Sequence, residues 1–307
     1  MLAETSHVTN PTYSVETHRC CIQIGGVSIR LTANSAADIR LTRELEAFRV
    51  EWGDCDIETR VEWADRLGQP LGTKVFDSGA LWALYEEGPD FVFDFVTQVL
   101  GRQPYKRLRI NQDFSEGRLC LNRGCLPDAG QIFPLEYPVD ELLVTNWLAR
   151  AGGGVELHGC GLVDSETGGH LFLGHSGAGK STTTRLWRSL RHARVLSDDR
   201  IILRRHGDDI WMHGTPWHGE AGFASPEATA IRHIFVLEHG AKNTFTQLSQ
   251  SQAIAEIFAR SFVPFHNRRA LDSTLSYLQD ITAEVPCYRF EFLPDSHAVD
   301  AITSFYG

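Results

Sequence analysis

Gly174-His175-Ser176-Gly177-Ala178-Gly179-Lys180-Ser181 is the stretch on which the reading of this chain turns. It matches the phosphate-loop pattern GxxxxGKS in full, and its flanks are those the pattern requires. The apolar run His170–Leu173 predicts a strand before it, and Ser181–Leu190 predicts a helix after it. Gly174, Gly177 and Gly179 let the backbone curl so that successive N–H groups face phosphate oxygens. The loop then delivers its ligand to a helix N-terminus, where unpaired amides and the helix dipole favour an anion. Lys180 sets a compact cation among the outer phosphates, and the Ser181 hydroxyl offers a hard oxygen to magnesium. His175 and Ser176 fill variable positions; with Ala178 and Thr182 they count as nucleotide-binding by place, without assigned side-chain chemistry. The expected cofactors are ATP and Mg2+.

The next acidic landmark is Val195-Leu196-Ser197-Asp198-Asp199-Arg200. A predicted strand carries two carboxylates to its C-terminal end, and Asp198 comes 18 residues beyond Lys180. One helix and one turn fill that separation, which sets the pair beside the glycine loop. One carboxylate can serve magnesium, and the other can take a proton from an attacking hydroxyl. The spacing does not say which does which.

Downstream and just upstream of the loop, short strands alternate with helices. Val155–His158, Arg194–Ser197, Arg200–Leu203, Ile210–Met212, Ile234–Leu237 and Tyr288–Phe292 read as strands, the last of them closing the chain. Gln252–Ser261 and Leu271–Ile281 read as helices, and Tyr137-Pro138 opens another that Gly152-Gly153-Gly154 stops. That alternation is the α/β class. Nearer the N-terminus the pattern is β-rich. Ile22 and Ile24, then Gly25-Gly26, then Val27, Ile29 and Leu31 spell a hairpin. Lys74–Phe76, Leu81–Tyr85, Phe91–Phe95, Lys106–Ile110 and Arg118–Leu121 are further strand candidates, with Phe91, Phe93 and Phe95 as a core stripe. The expected organisation is a smaller β-rich domain over 1–130, with a part in substrate recognition, and an ATP-binding domain over 131–307.

Composition narrows the partners. A net charge of −10 with no block of like charge argues against nucleic acid or anionic lipid as the working partner. The seven cysteines are odd in number and follow no CxxC spacing, which points to reduced thiols in the cytoplasm. Met1–Val15 has no apolar core, and no run approaches the ~20 apolar residues that span a bilayer.

His158-Gly159, the glycine loop and Leu196-Ser197-Asp198-Asp199, taken as a series, resemble the catalytic domain of bacterial HPr kinase/phosphorylase. That domain shares its architecture with ATP-dependent phosphoenolpyruvate carboxykinases. A finer likeness, over roughly residues 134–292, is to the HPr-kinase-like proteins found beside peptide-modification genes. The resemblance implies a P-loop kinase. Lys180 would meet phosphate, Ser181 magnesium, and the Asp198/Asp199 pair the acceptor proton and the metal. His158 would stand near the transferring group, and Glu220 near a second metal position, so that Ser181, Asp198 and Glu220 form the expected metal set. Three features depart from the family. Thr182 stands where Glu usually follows the loop Ser, and the Asp pair sits one position further on. The segment serving dephosphorylation is not recognisable in Gly214–Phe223. Met1–Cys125 does not match the HPr enzymes' N-terminal domain. The expected acceptor is therefore a Ser or Thr hydroxyl of a peptide or small protein, entering as an extended strand or near Trp217, His218 and Phe265-His266. A small hydroxylated molecule, and an ATP-binding regulator without catalysis, are the competing readings. A homo-oligomer stays open. No LSGGQ or NKxD motif supports a motor or switch NTPase, and the chain is short for a carboxykinase.

Overall fold

The computed structural model describes residues 17–126 and 133–305. The stretch Met1–Val15 and the division at 130/131 lie outside them. The described residues form a mixed α/β protein, mostly strand, on two large sheets.

The first sheet grows from the glycine turn. The alternation about Gly25-Gly26 becomes the antiparallel pair β1 (His18–Ile24) and β2 (Val27–Ala33). Both turn glycines hold positive φ, +58° and +72°, as a two-residue hairpin demands. A short helix α1 (Arg43–Glu46), capped by the Thr42 hydroxyl, leads on to β3 (Ile57–Ala64). The candidate strands downstream fall within β4 (Thr73–Asp77), β6 (Asp90–Thr97), β7 (Gly101–Asn111) and β8 (Glu116–Asn122), or overlap β5 (Trp82–Glu87). The order is β1-β2-β3-β8-β7-β6-β5-β4, so β4 is an outer strand paired to β5. Phe91, Phe93 and Phe95 are core, as expected, but Val92 and Asp94 on the opposite face are buried too. Arg107 makes that possible for a carboxylate: its Nε and Nη2 reach the two Asp94 oxygens at 2.5 and 2.8 Å.

The helix expected after Tyr137-Pro138 is α2 (Val139–Ala151), ended at Gly152 with φ +74°. Then come β9 (Gly154–Asp164), β10 (Gly168–Leu173), α3 (Lys180–Arg191), β11 (Arg194–Ser197), β12 (Arg200–His206) and β13 (Asp209–His213). The chain goes on through β14 (Ala228–His239), β15 (Thr244–Gln247), α4 (Gln250–Phe258), β16 (Ser261–Phe262), α5 (Arg268–Glu284) and β17 (Cys287–Phe292). It does not close on that last strand: α6 (Ser296–Phe305) follows and buries Ala298, Val299 and Ile302. Along the second sheet the order is β10-β9-β12-β13-β14-β17-β15, and β14 also pairs in parallel with β10. β9 is the common rail. Its first half pairs with β12 and β16, and its second half with β10 and β11.

Contacts among the described residues join the sheets at two main places. The β1–β2 turn rests on β12, where Arg204 Nη1 donates to the Gly25 carbonyl at 3.2 Å. A Cβ on Gly25 would stand 2.5 Å from Ile202 Cδ1, so that approach needs glycine. Residues of the first sheet also share one apolar core with Val139, Leu143 and Leu148 of α2 and with Ile202 and Trp217.

The segment entering α2 is pinned from below by Lys106 of β7, which is fully buried. Its Nζ donates to the carbonyls of Phe133 and Pro134 at 2.5 and 3.3 Å and to Glu136 Oε1 at 2.6 Å. Lys106→Met strips those donors and leaves Glu136 without its cation. Glu136 is a third exposed, so the expected loss is about 3 kcal/mol, the low end for breaking a buried pair. A denaturant midpoint unchanged from wild type would show that the segment is held otherwise.

Candidate functional site

Local packing dictates the shape of the glycine loop. Gly179, the N-cap of α3, holds φ +100°, and a Cβ there would stand 2.5 Å from Phe292 Cζ. His239, at the end of β14, faces the Gly177 carbonyl through Nε2 at 2.9 Å. His175, Ser176 and Gly177 are exposed, Ala178 is buried, and Ser181 and Thr182 are half-buried at the start of α3. Lys180 is 7 % exposed, with its ammonium folded into the loop. Nζ donates to the carbonyls of Gly174 at 2.9 Å and His175 at 3.3 Å. Burial lowers its pKa, against the opposing charge of Asp199.

Strand register brings the other candidates to this loop. On β9, Gly159 pairs with Leu173, the residue before Gly174, and His158 pairs with Arg200 of β12. The Gly159 amide donates to the Asp199 carbonyl at 3.0 Å. His158 Nε2 and Asp199 Oδ1 then lie 3.0 Å apart. Arg200 binds the other Asp199 oxygen and donates from Nε to Glu141 Oε1 at 2.9 Å, with Glu156 at 3.4 Å. The Phe262 ring lies 4.2 Å from that guanidinium. Burial works to raise the Asp199 carboxyl, but the His158 hydrogen bond and the Arg200 charge outweigh it and hold it below its ordinary value.

The neighbouring carboxylate is used differently. Asp198 is 1 % exposed and accepts three backbone N–H groups: Gly219 at 3.0 Å, Phe223 at 3.1 Å and Ala221 at 2.8 Å. It is the centre of a turn that carries Glu220 outward, exposed, between two tethered residues. Asp198→Asn sets an NH2 group against those donors. Charged acceptors contribute about 1.5–3 kcal/mol per bond, so the turn is expected to loosen by ~2 kcal/mol or more. Amide hydrogen exchange at Gly219, Ala221 and Phe223 checks this. Unchanged protection would mean that the turn does not depend on the carboxylate.

Trp217 is buried and donates from Nε1 to Asp140 Oδ2 at 2.8 Å, while His218 is exposed. Burial pushes Asp140 up to about 7 against that hydrogen bond. Together they wall a cavity of about 440 Å³ that Asp199 and Arg200 also line, with Glu44, Glu136 and Tyr137 at its other side. A second cavity, about 280 Å³, shares Tyr137 and runs past Glu141 to Phe265 and His266.

His158 and Asp199 thus meet beside the middle of β9, with Lys180 near enough for its charge to act on Asp199, while Asp198 turns to the segment 219–223 that carries Glu220. Sequence reasoning missed Arg200 as a site residue, although it follows the pair directly. It also missed Glu141, which sits 59 residues from its partner with no spacing to betray it. Among the described residues no three His, Cys, Asp or Glu side chains converge as a metal-ligand set, and no helix is long and apolar enough to cross a membrane.

No family model matches the chain, and no curated protein matches it. Among solved structures it is similar to the HPr(Ser) kinase/phosphatase from Coxiella burnetii, at 13% identity and a TM-score of 0.31. The match covers 49% of this chain and 95% of that one. A likeness that weak carries no conclusion about the activity of this protein.

Proposed function

We propose that the chain is an ATP-dependent phosphotransferase, a P-loop kinase of HPr-kinase-like architecture acting on a Ser or Thr hydroxyl of a peptide or small protein. One observation supports this above the others. A full phosphate-loop motif, its lysine folded among loop carbonyls, stands beside a carboxylate held by His158 at 3.0 Å and facing a cavity of about 440 Å³. The loop amides and Lys180 bind the triphosphate and stabilise the charge that builds on it during transfer. Asp199 accepts the proton of the acceptor hydroxyl as its oxygen bonds to the γ-phosphorus and the bond to ADP breaks. His158 and Arg200 fix the orientation of that carboxylate.

The residues fit a magnesium ion that arrives with the nucleotide rather than one held in a protein cage. The Ser181 residue is at the first turn of α3, where its hydroxyl would serve such an ion, and Asp198, which accepts three amides, would reach it only through the acceptor position those bonds leave. Bound there, the ion would neutralise phosphate charge. Residues 1–130 would supply substrate recognition, and the acidic chain with its seven cysteines suits a reducing cytoplasm. The volume of the first cavity also suits a small hydroxylated molecule as acceptor. Mass spectrometry of peptides and of small alcohols after incubation with Mg-ATP separates the two. Gain of one HPO3 unit on a peptide is the expected result, gain on a small molecule alone replaces the acceptor class, and gain on nothing removes the kinase.

A further inference from the structure

The two cavities at Tyr137 differ in character, and together they describe an acceptor. The first is acidic. Glu44, Glu136, Asp140 and Asp199 line it against a single guanidinium, Arg200. Arg200 is itself shared among Glu141, Glu156 and Asp199, and Glu136 is offset by Lys106. Even with Asp140 half protonated near neutrality, negative charge exceeds positive around the space in front of Asp199. Glu44 stands exposed at the rim.

The second cavity is apolar. Phe76, Trp82, Phe262, Val263, Pro264 and Phe265 form its walls. Phe265 is 62% exposed, and Phe76 and Tyr137 also reach solvent, so large apolar surface stands open at its mouth. Its polar lining includes Glu141 and His266, and the buried Nε2 of His266 has no hydrogen-bond partner. Phe76 belongs to β4, the outer strand of the first sheet, whose far edge pairs with no other strand among the described residues and can take an added one. Tyr137 lines both cavities, so a single extended chain can occupy them at once.

We infer that the acceptor is an extended peptide carrying a Lys or Arg beside its hydroxyl residue and a large apolar side chain further along. The cation lies in the acidic cavity by Glu44, and the apolar side chain enters between Tyr137 and Phe265. This rests on the kinase reading above. A free metabolite would leave the second cavity unused, and an acidic peptide would meet like charge in front of Asp199.

The test uses the full chain, Mg-ATP and synthetic Ser peptides in which the flanking residue is Lys or Glu and the distal residue is Phe or Ser. The Lys/Phe peptide is expected to exceed the Glu/Phe and Lys/Ser peptides by about tenfold in kcat/KM, with the charge preference shrinking as salt is raised. Glu44→Lys should bring the Lys and Glu peptides to near parity. Phe265→Ala should erase the gain from distal Phe, and Phe265→Leu should restore most of it. Equal rates for all peptides, or transfer to small alcohols alone, overturn this inference and leave the kinase standing. If Mg-ATP neither binds nor loses its γ-phosphate in any arm, the kinase reading falls and the inference with it.

Discussion

Lys180→Ala is expected to abolish the rise in melting temperature that Mg-ATP should give the wild-type protein, and to lower phosphoryl transfer by ~10²–10³-fold. Ligand held at about 100 times its Kd stabilises the native state by about 2.7 kcal/mol, so the wild-type shift is a matter of degrees and easily read. The transfer loss is set by the cation itself, since one preorganised charge at a developing anion is worth ~10²–10³. The ammonium is tied to the carbonyls of Gly174 and His175, and Lys180 is almost wholly buried. Alanine therefore also frees two loop carbonyls, and the variant's own melting temperature is measured alongside. Lys180→Arg serves as the second variant: it keeps the charge but not the compact ammonium, and should recover part of the binding and little of the transfer. Equal shifts in wild type and Lys180→Ala would remove the loop from the nucleotide site.

Asp199→Asn is expected to cut transfer by more than ~10²-fold while sparing nucleotide binding, because it removes the proton acceptor and not a phosphate contact. The amide keeps the size of the side chain and one acceptor oxygen for Arg200. Because His158 and Arg200 hold the carboxyl below its ordinary value, Asp199 should stay ionised as the pH falls towards the ordinary carboxylate range and lose its role as proton acceptor only below that range. Transfer near the wild-type rate in Asp199→Asn would make the carboxylate a structural partner of Arg200 and no base. Asp198→Asn should act differently, through the turn at 219–223, and the contrast between two adjacent residues is the sharper result.

The parts of this protein that sequence revealed are those governed by local rules. Alternation about Gly25-Gly26 gave the hairpin, and the loop motif with its flanks gave β10 and α3, because each depends on residues within a few positions. β3 carries the same kind of signal, since Ile57, Thr59, Val61 and Trp63 alternate with Glu58, Arg60 and Glu62, yet it was not among the expected strands. What sequence could not give are contacts made by distant segments. Nothing in Asp198-Asp199 says that one faces the amides of 219–223 and the other His158; the pair lies in the bend between β11 and β12, and the segments that return to it decide their roles. Trp217 with Asp140 and Arg200 with Glu141 are pairs 77 and 59 residues apart. Trp217, Asp140 and Arg200 wall the cavity in front of Asp199 and Glu141 lines the second, so the pockets were the least legible part of the site.

The most direct measurement is transfer of label from ATP carrying radioactive phosphorus at either the γ or the α position, with the Lys/Phe Ser peptide as acceptor. The γ label should appear on the serine oxygen of the peptide in wild type and fall below detection in Lys180→Ala and Asp199→Asn, while the α label never leaves the nucleotide. Peptide labelled from the α position, or γ label released only as free phosphate at the same rate in wild type and Asp199→Asn, would contradict a kinase with Asp199 as its base.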